Sequence, residues 1–136
     1  MRFMMLMIPK GYESADARAL PSAEMVAEMT KYNEALAKAG VLLALDGLHP
    51  PAAAARLVFA DHKPTIVDRP FAETKETVGG YWIIQSKSKA EALQWASRCP
   101  AADGDVIELR QIMDISDFPP ELVAEISPEL RAIDRA

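Results

Sequence analysis

Six apolar residues in a row, Phe3 to Ile8, come almost at the start of the chain, and Pro9 ends them. A run of that length without polar alternation reads as a strand covered on both faces. Arg2 in front of it gives the segment the outline of a secretory leader. Six residues fall short of the roughly 7–15 of a leader's apolar region, and no small-residue cleavage site follows, so a buried strand is the better reading. After Ser22 the period changes. Met25, Met29, Tyr32 and Leu36 recur at spacings of four, three and four, the stripe of an amphipathic helix. Ser22, following Pro21, is its N-cap, Glu34 and Lys38 pair on its wet side, and Gly40 ends it.

Val41 to Leu45 predicts a second buried strand, running out into Asp46-Gly47. Beyond Pro50-Pro51 and the alanines after them, Arg56 to Ala60 and Thr65 to Val67 predict two short strands joined by the turn Asp61-His62-Lys63-Pro64. Gly79-Gly80 opens another strand, Tyr81 to Gln85. A second helix begins at Ser88, where Glu91 completes a capping box, and Leu93, Ala96 and Cys99 form its core face until Pro100 stops it. Val106 to Ile112 predicts a final strand, with Ile107 and Leu109 on one face and Glu108 and Arg110 on the other. The tail from Phe118, interrupted by Pro119-Pro120 and Pro128, predicts one or two short helices.

The order strand, helix, strand, hairpin insertion, strand, helix, strand predicts an α+β protein. Its core is a ferredoxin-like βαββαβ unit with both helices on one face of a single sheet. The strands Phe3 to Ile8 and Val41 to Leu45 are apolar on both sides, so the other face also needs cover. A second copy of the same sheet supplies it, which predicts a homodimer with sheets packed face to face. Residues 1–113 form the domain on this reading, and 114–136 a C-terminal helical extension.

Composition narrows the function classes. At 136 residues, half of them apolar, the chain is expected to be one globular domain. Fifteen Lys and Arg against 20 Asp and Glu give a net charge of −5, and nowhere do the cations cluster. Direct contact with nucleic acid or an anionic membrane is therefore not expected. No apolar run approaches the length of a membrane-spanning helix. Cys99 is the single cysteine, so there is no internal disulfide, and a reducing, cytoplasmic location is expected.

The densest chemistry lies in Asp68-Arg69-Pro70-Phe71-Ala72-Glu73-Thr74-Lys75-Glu76, directly before the strand at Tyr81. A connection needs only the turn that Asp-X-Pro provides. Charged side chains and a ring beyond that requirement mark a loop as a place for function. Each residue also has a plainer role. Asp68 is a candidate general base or binder of a substrate hydroxyl, though an Asp before X-Pro more often caps its own turn. Phe71 is a candidate stacking ring, though an aromatic in a hairpin is more often buried. Glu73, Lys75 and Glu76 form either a polar site or a solvated cluster worth tenths of a kcal/mol per pair. His49, between the second strand and Pro50-Pro51, is a candidate proton carrier or a hydrogen-bonded structural histidine. His62 sits in a turn, and neither histidine has metal-ligand spacing. Gly79-Gly80 precedes a strand, so it reads as a close backbone approach or a bulge and not as a phosphate loop. Tyr81, Trp82 and Arg110 are candidates to line a pocket. Cys99, at a helix C-terminus, is not a candidate nucleophile.

Together with Gly79-Gly80-Tyr81, the nine-residue motif resembles the signature of the DGPF branch of the YCII-related proteins. Gly40-Val41, Asp46-Gly47-Leu48-His49-Pro50, Ala90 to Ala96 and Cys99-Pro100-Ala101 agree with the same pattern. The resemblance spans about Phe3 to Ile112 and implies a dimeric α+β barrel. Some relatives are dehydrochlorinases of chlorinated hydroxyquinols or resemble lactone isomerases, using a His–Asp pair. DGPF members are often encoded beside, or fused to, extracytoplasmic-function sigma factors. Arg69 stands where that branch has glycine, and the first helix, which carries the histidine of the YCII-type pair, has none here.

The expectation is a small-molecule-binding protein or cofactor-independent enzyme with its pocket beside the Asp68–Glu76 motif. Asp68 or His49 would move protons. Arg69 and Lys75 would offset anionic charge, Glu73 and Glu76 would complete the polar wall, and Phe71 and Tyr81 would contact a ring. No metal or cofactor is expected. The alternative is a protein-interaction module whose partner is a sigma factor.

Overall fold

The computed structural model describes residues 1–67 and 76–133. Strand β1 (Arg2–Ile8) leads through a 3-10 turn at Tyr12–Ser14 into helix α1 (Ala23–Lys38). Strand β2 (Leu42–Gly47), a 3-10 turn at Pro51–Ala53, and the pair β3 (Arg56–Ala60) and β4 (Lys63–Val67) follow. Then come β5 (Gly80–Gln85), α2 (Lys89–Ser97) and β6 (Val106–Gln111). A tail holds a 3-10 turn at Ile115–Asp117 and two short helices, α3 (Pro120–Val123) and α4 (Pro128–Arg131).

Four strands form one antiparallel sheet in the order β2-β5-β1-β6, while β3 and β4 pair only with each other. Both helical connections skip a strand, as a ferredoxin-like α+β arrangement requires. Register divides the side chains cleanly. Phe3 lies opposite Ile84, and Met5 opposite Trp82, on the helix face; Met4 lies opposite Ile83, and Leu6 opposite Tyr81, on the other.

The core lies between the sheet and the helices. Phe3, Met5, Met7, Trp82 and Ile84 of the sheet meet Tyr32 and Leu36 of α1 and Ala92 of α2. Tyr32 and Trp82 pack edge to face, with centroids 5.9 Å apart at 85°. The Tyr32 hydroxyl donates to the Trp95 carbonyl at 2.8 Å, so this buried polar atom is satisfied and α1 is tied to α2.

The helix ends follow their sequence signals. Ser22 accepts from the Met25 N–H at 3.2 Å, and Gly40 takes the left-handed φ of 74° that turns the chain out of α1. At α2 the reciprocal half of the box shifts by one residue. Ser88 accepts from the Glu91 N–H at 3.1 Å, but the Glu91 carboxylate accepts from the Lys87 N–H at 2.7 Å and not from Ser88.

Three expectations need correction. Leu93 is 48% exposed, and the core face of α2 is Ala92, Trp95, Ala96 and Cys99. Met25 is 62% exposed, because the first turns of α1 stand off the sheet and only Met29, Tyr32 and Leu36 reach the core. The second strand is shifted toward Gly47 and is only half-buried, since it is an edge strand. The hairpin turn is also tighter than expected. Asp61 and His62 alone make it, with φ of 50° and 62°, the two positive values a two-residue turn between twisted strands demands.

Candidate functional site

Because the start of α1 stands away from the sheet, a groove opens beneath it. Its inner chamber, about 310 Å³, is walled by Met7, Met25, Val26, Met29, Leu45 and Trp82. An outer chamber of about 550 Å³ continues between Tyr12, Leu20, Leu48 and His49. The two share Pro21, Met25, Gly47 and Gly79, so they form one apolar trough of a size suited to a ring compound.

Backbone constraints hold the trough open. The Tyr12 hydroxyl donates to the Leu48 carbonyl at 2.5 Å and pins the segment before α1 to the end of β2. Burial raises the Tyr12 hydroxyl above its ordinary value, which keeps it a donor. A Cβ at Gly79 would come within 2.8 Å of the Pro9 ring, and one at Gly80 within 3.1 Å of the Asp46 carbonyl oxygen. The glycine pair is therefore a place of close backbone approach, as its position before a strand implies.

Polar groups on this wall are few, and one is oriented. The Trp82 Nε1–H donates to Asn33 Oδ1 at 2.7 Å. An indole N–H can only donate, so it fixes the amide with oxygen inward and leaves the Asn33 amino group as a donor at the inner chamber. The Thr30 hydroxyl is committed to the Val26 carbonyl at 2.7 Å. Sequence reasoning missed Asn33, since a polar residue beside Tyr32 on a helical stripe carries no signal of its own.

The expected site residues separate. His49 is exposed at the outer end of the trough and also lines a neighbouring cavity of about 430 Å³ with Arg56, Glu76 and Thr77. His49 and Glu76 thus share one hollow, in which the Thr77 hydroxyl is a buried atom without a hydrogen-bond partner among the described residues. Tyr81 helps to form the inner wall, but it belongs to the side-chain row that faces away from the helices. There its hydroxyl donates to Asp46 Oδ2 at 2.9 Å, and the neighbouring carboxylate raises its affinity for that proton. Asp68, Arg69, Phe71, Glu73 and Lys75 lie outside the described residues. Arg110 is exposed and 3.9 Å from Glu108, away from both hollows. Among the described residues no group of three His, Cys, Asp or Glu side chains is arranged to hold a metal.

Cys99 belongs to the packing and not to this site. Burial pushes its thiol up to about 11, and Asp105 adds to the shift. Desolvation raises the Tyr32 hydroxyl in the same direction. A folded-state value above the unfolded one stabilises the protein fully below the unfolded pKa and is lost as pH rises through the folded one. Stability to urea is therefore expected to decline from about pH 9 toward 11, and Cys99→Ala to decline less steeply over that window. Equal slopes for the two proteins would show that the thiol is not the titrating group.

Among the described residues no helix is long and apolar enough to cross a membrane. The family model for the YCII-related domain matches residues 1–116. No curated protein matches the chain.

Proposed function

The chain belongs to the YCII-related domain family, and from that premise we propose that it binds a small, largely apolar ring compound in the trough beneath α1. The observation that carries this reading is the trough itself: methionines and Trp82 around a single oriented amide donor. Such a wall suits a ring bearing one acceptor oxygen, such as a phenol, quinol or aromatic carboxylate, with that oxygen facing Asn33. His49, at the outer end and beside Glu76, is the group positioned to move a proton if cofactor-independent chemistry follows binding. Asp68, Arg69, Phe71, Glu73 and Lys75 belong to this reading as the segment that follows the hairpin, on the strength of their match to the DGPF signature.

The same reading makes the protein a dimer of face-to-face sheets. Met4, Leu6, Ile8 and Ile83 form apolar rows on the sheet face away from the helices, and the charged residues Glu108, Arg110 and Asp46 stand at its two edges. A continuous apolar centre with a charged rim is the composition of an interface. The alternative, a sigma-factor partner, calls for a broad exposed contact face. The concavity under α1 favours a ligand instead.

A thermal-shift titration with phenols, hydroxyquinols and aromatic carboxylates tests the ligand reading, since a compound that binds only the folded chain raises its melting temperature. Asn33→Asp keeps the acceptor for Trp82 and replaces the donor with a carboxylate. It is expected to weaken binding by about tenfold or more. If no compound in these classes shifts the wild type, the ligand reading fails, and pull-downs with sigma factors become the next test.

A further inference from the structure

We propose that the β3–β4 hairpin is an arm that reaches onto a second copy of this chain and packs at the margin of the sheet-to-sheet contact, against the ends of that copy's apolar rows. The proposal rests on the dimer reading above and extends it to an element outside the sheet.

The hairpin register sorts its residues by face. Leu57 lies opposite Ile66, and Phe59 opposite Pro64, so one face is apolar throughout. The other face pairs Val58 with Thr65 and Ala60 with Lys63, a mixed surface suited to water. Both faces are exposed, and on the apolar one that leaves large side chains in water: Leu57 is 58% exposed, Phe59 69% and Ile66 70%. Neither strand joins the four-stranded sheet, and no residue of β3 or β4 belongs to the core or packs on it.

An isolated two-stranded hairpin is marginal in water and needs a surface under its apolar side. This one has none in its own chain among the described residues. A second copy offers one of matching chemistry at the margin of the sheet-to-sheet contact, where the rows of Met4, Leu6, Ile8 and Ile83 run out. Area points the same way. Three side chains this large and exposed present on the order of 400 Å², at the scale of functional patches. A stable interface needs about 800 Å² per partner, which the arm approaches only when joined to a sheet face. Two-fold symmetry makes the exchange reciprocal, each copy giving an arm and receiving one.

The test begins with sedimentation of the full chain, which is expected to be a dimer. p-Benzoylphenylalanine is then placed at position 59, and mixed light and heavy-isotope protein is irradiated. The expected product is a covalent dimer whose cross-linked peptide joins the hairpin of one isotope to residues 2–8 or 80–85 of the other. Leu57→Ser, Phe59→Ser, Ile66→Ser, all at exposed positions, is expected to weaken dimerisation by about tenfold or more. A dimer whose cross-links stay within one chain, or whose affinity is unmoved by the triple change, overturns the arm and leaves the sheet-to-sheet dimer standing. A wild type that sediments as a monomer overturns both.

Discussion

Leu36→Ala is expected to lower the free energy of unfolding by about 3–5 kcal/mol, whereas Leu93→Ala should cost less than about 1 kcal/mol. Leu36 is fully enclosed among Phe3, Met5, Ile84 and the other core residues, so truncating it removes buried methyl groups and leaves a cavity the close-packed surroundings fill only in part. Leu93 is 48% exposed on α2, so about half of it is already in water. For a domain of this size the first change should lower the melting temperature by on the order of 10 °C and the second by a few degrees at most. Chemical denaturation of the two variants side by side checks the contrast. Comparable losses would mean that Leu93 does belong to the core face, and that the helix is rotated relative to the arrangement described above.

That contrast also marks how far the sequence could be read. The stripe in α1 identified Tyr32 and Leu36 correctly, because a 3.6-residue period reports which side of a helix is apolar. It could not report where the helix leaves the sheet. Met25 continues the stripe yet lines the trough, so one pattern serves the core at one end of α1 and the candidate site at the other. In α2, Ala96 and Cys99 do pack against the core, but Leu93 does not: its neighbour Ala92, too small to carry much hydrophobic signal, holds the buried position. The β3–β4 hairpin was legible as strands, but alternation alone could not show that its apolar side stays exposed, without cover among the described residues.

The site was legible only in parts. Gly79-Gly80 announced a close approach, and the structure supplies the neighbours, Pro9 and Asp46, that make it close. His49 could be placed at the end of a strand from the sequence, but not at the meeting of two hollows, because those are made by segments distant along the chain. Asn33 became visible only through the indole N–H of Trp82, 49 residues away. Long-range pairing of that kind has no periodic trace.

Val26→Trp is expected to abolish ligand binding in the trough while leaving the fold intact. Val26 forms part of the inner chamber, yet it is 49% exposed and lies outside the core cluster. An indole there can occupy much of the roughly 310 Å³ that a ring would need without displacing Tyr32 or Leu36. Helix propensity scarcely changes between the two residues, so α1 should persist. Excluding a ligand from a preformed apolar chamber should weaken binding by about 100-fold or more, a loss of some 2.7 kcal/mol. Titration calorimetry on whichever compound stabilises the wild type checks the affinity, and the variant's own melting curve checks the fold. Unchanged melting with lost binding would place the ligand beneath α1. Unchanged affinity would move the site to the hollow shared by His49 and Glu76, where Val26 has no contact with the wall. Asn33→Asp separates these outcomes further, since a ligand in that second hollow would be as indifferent to the Asn33 amide as to the indole.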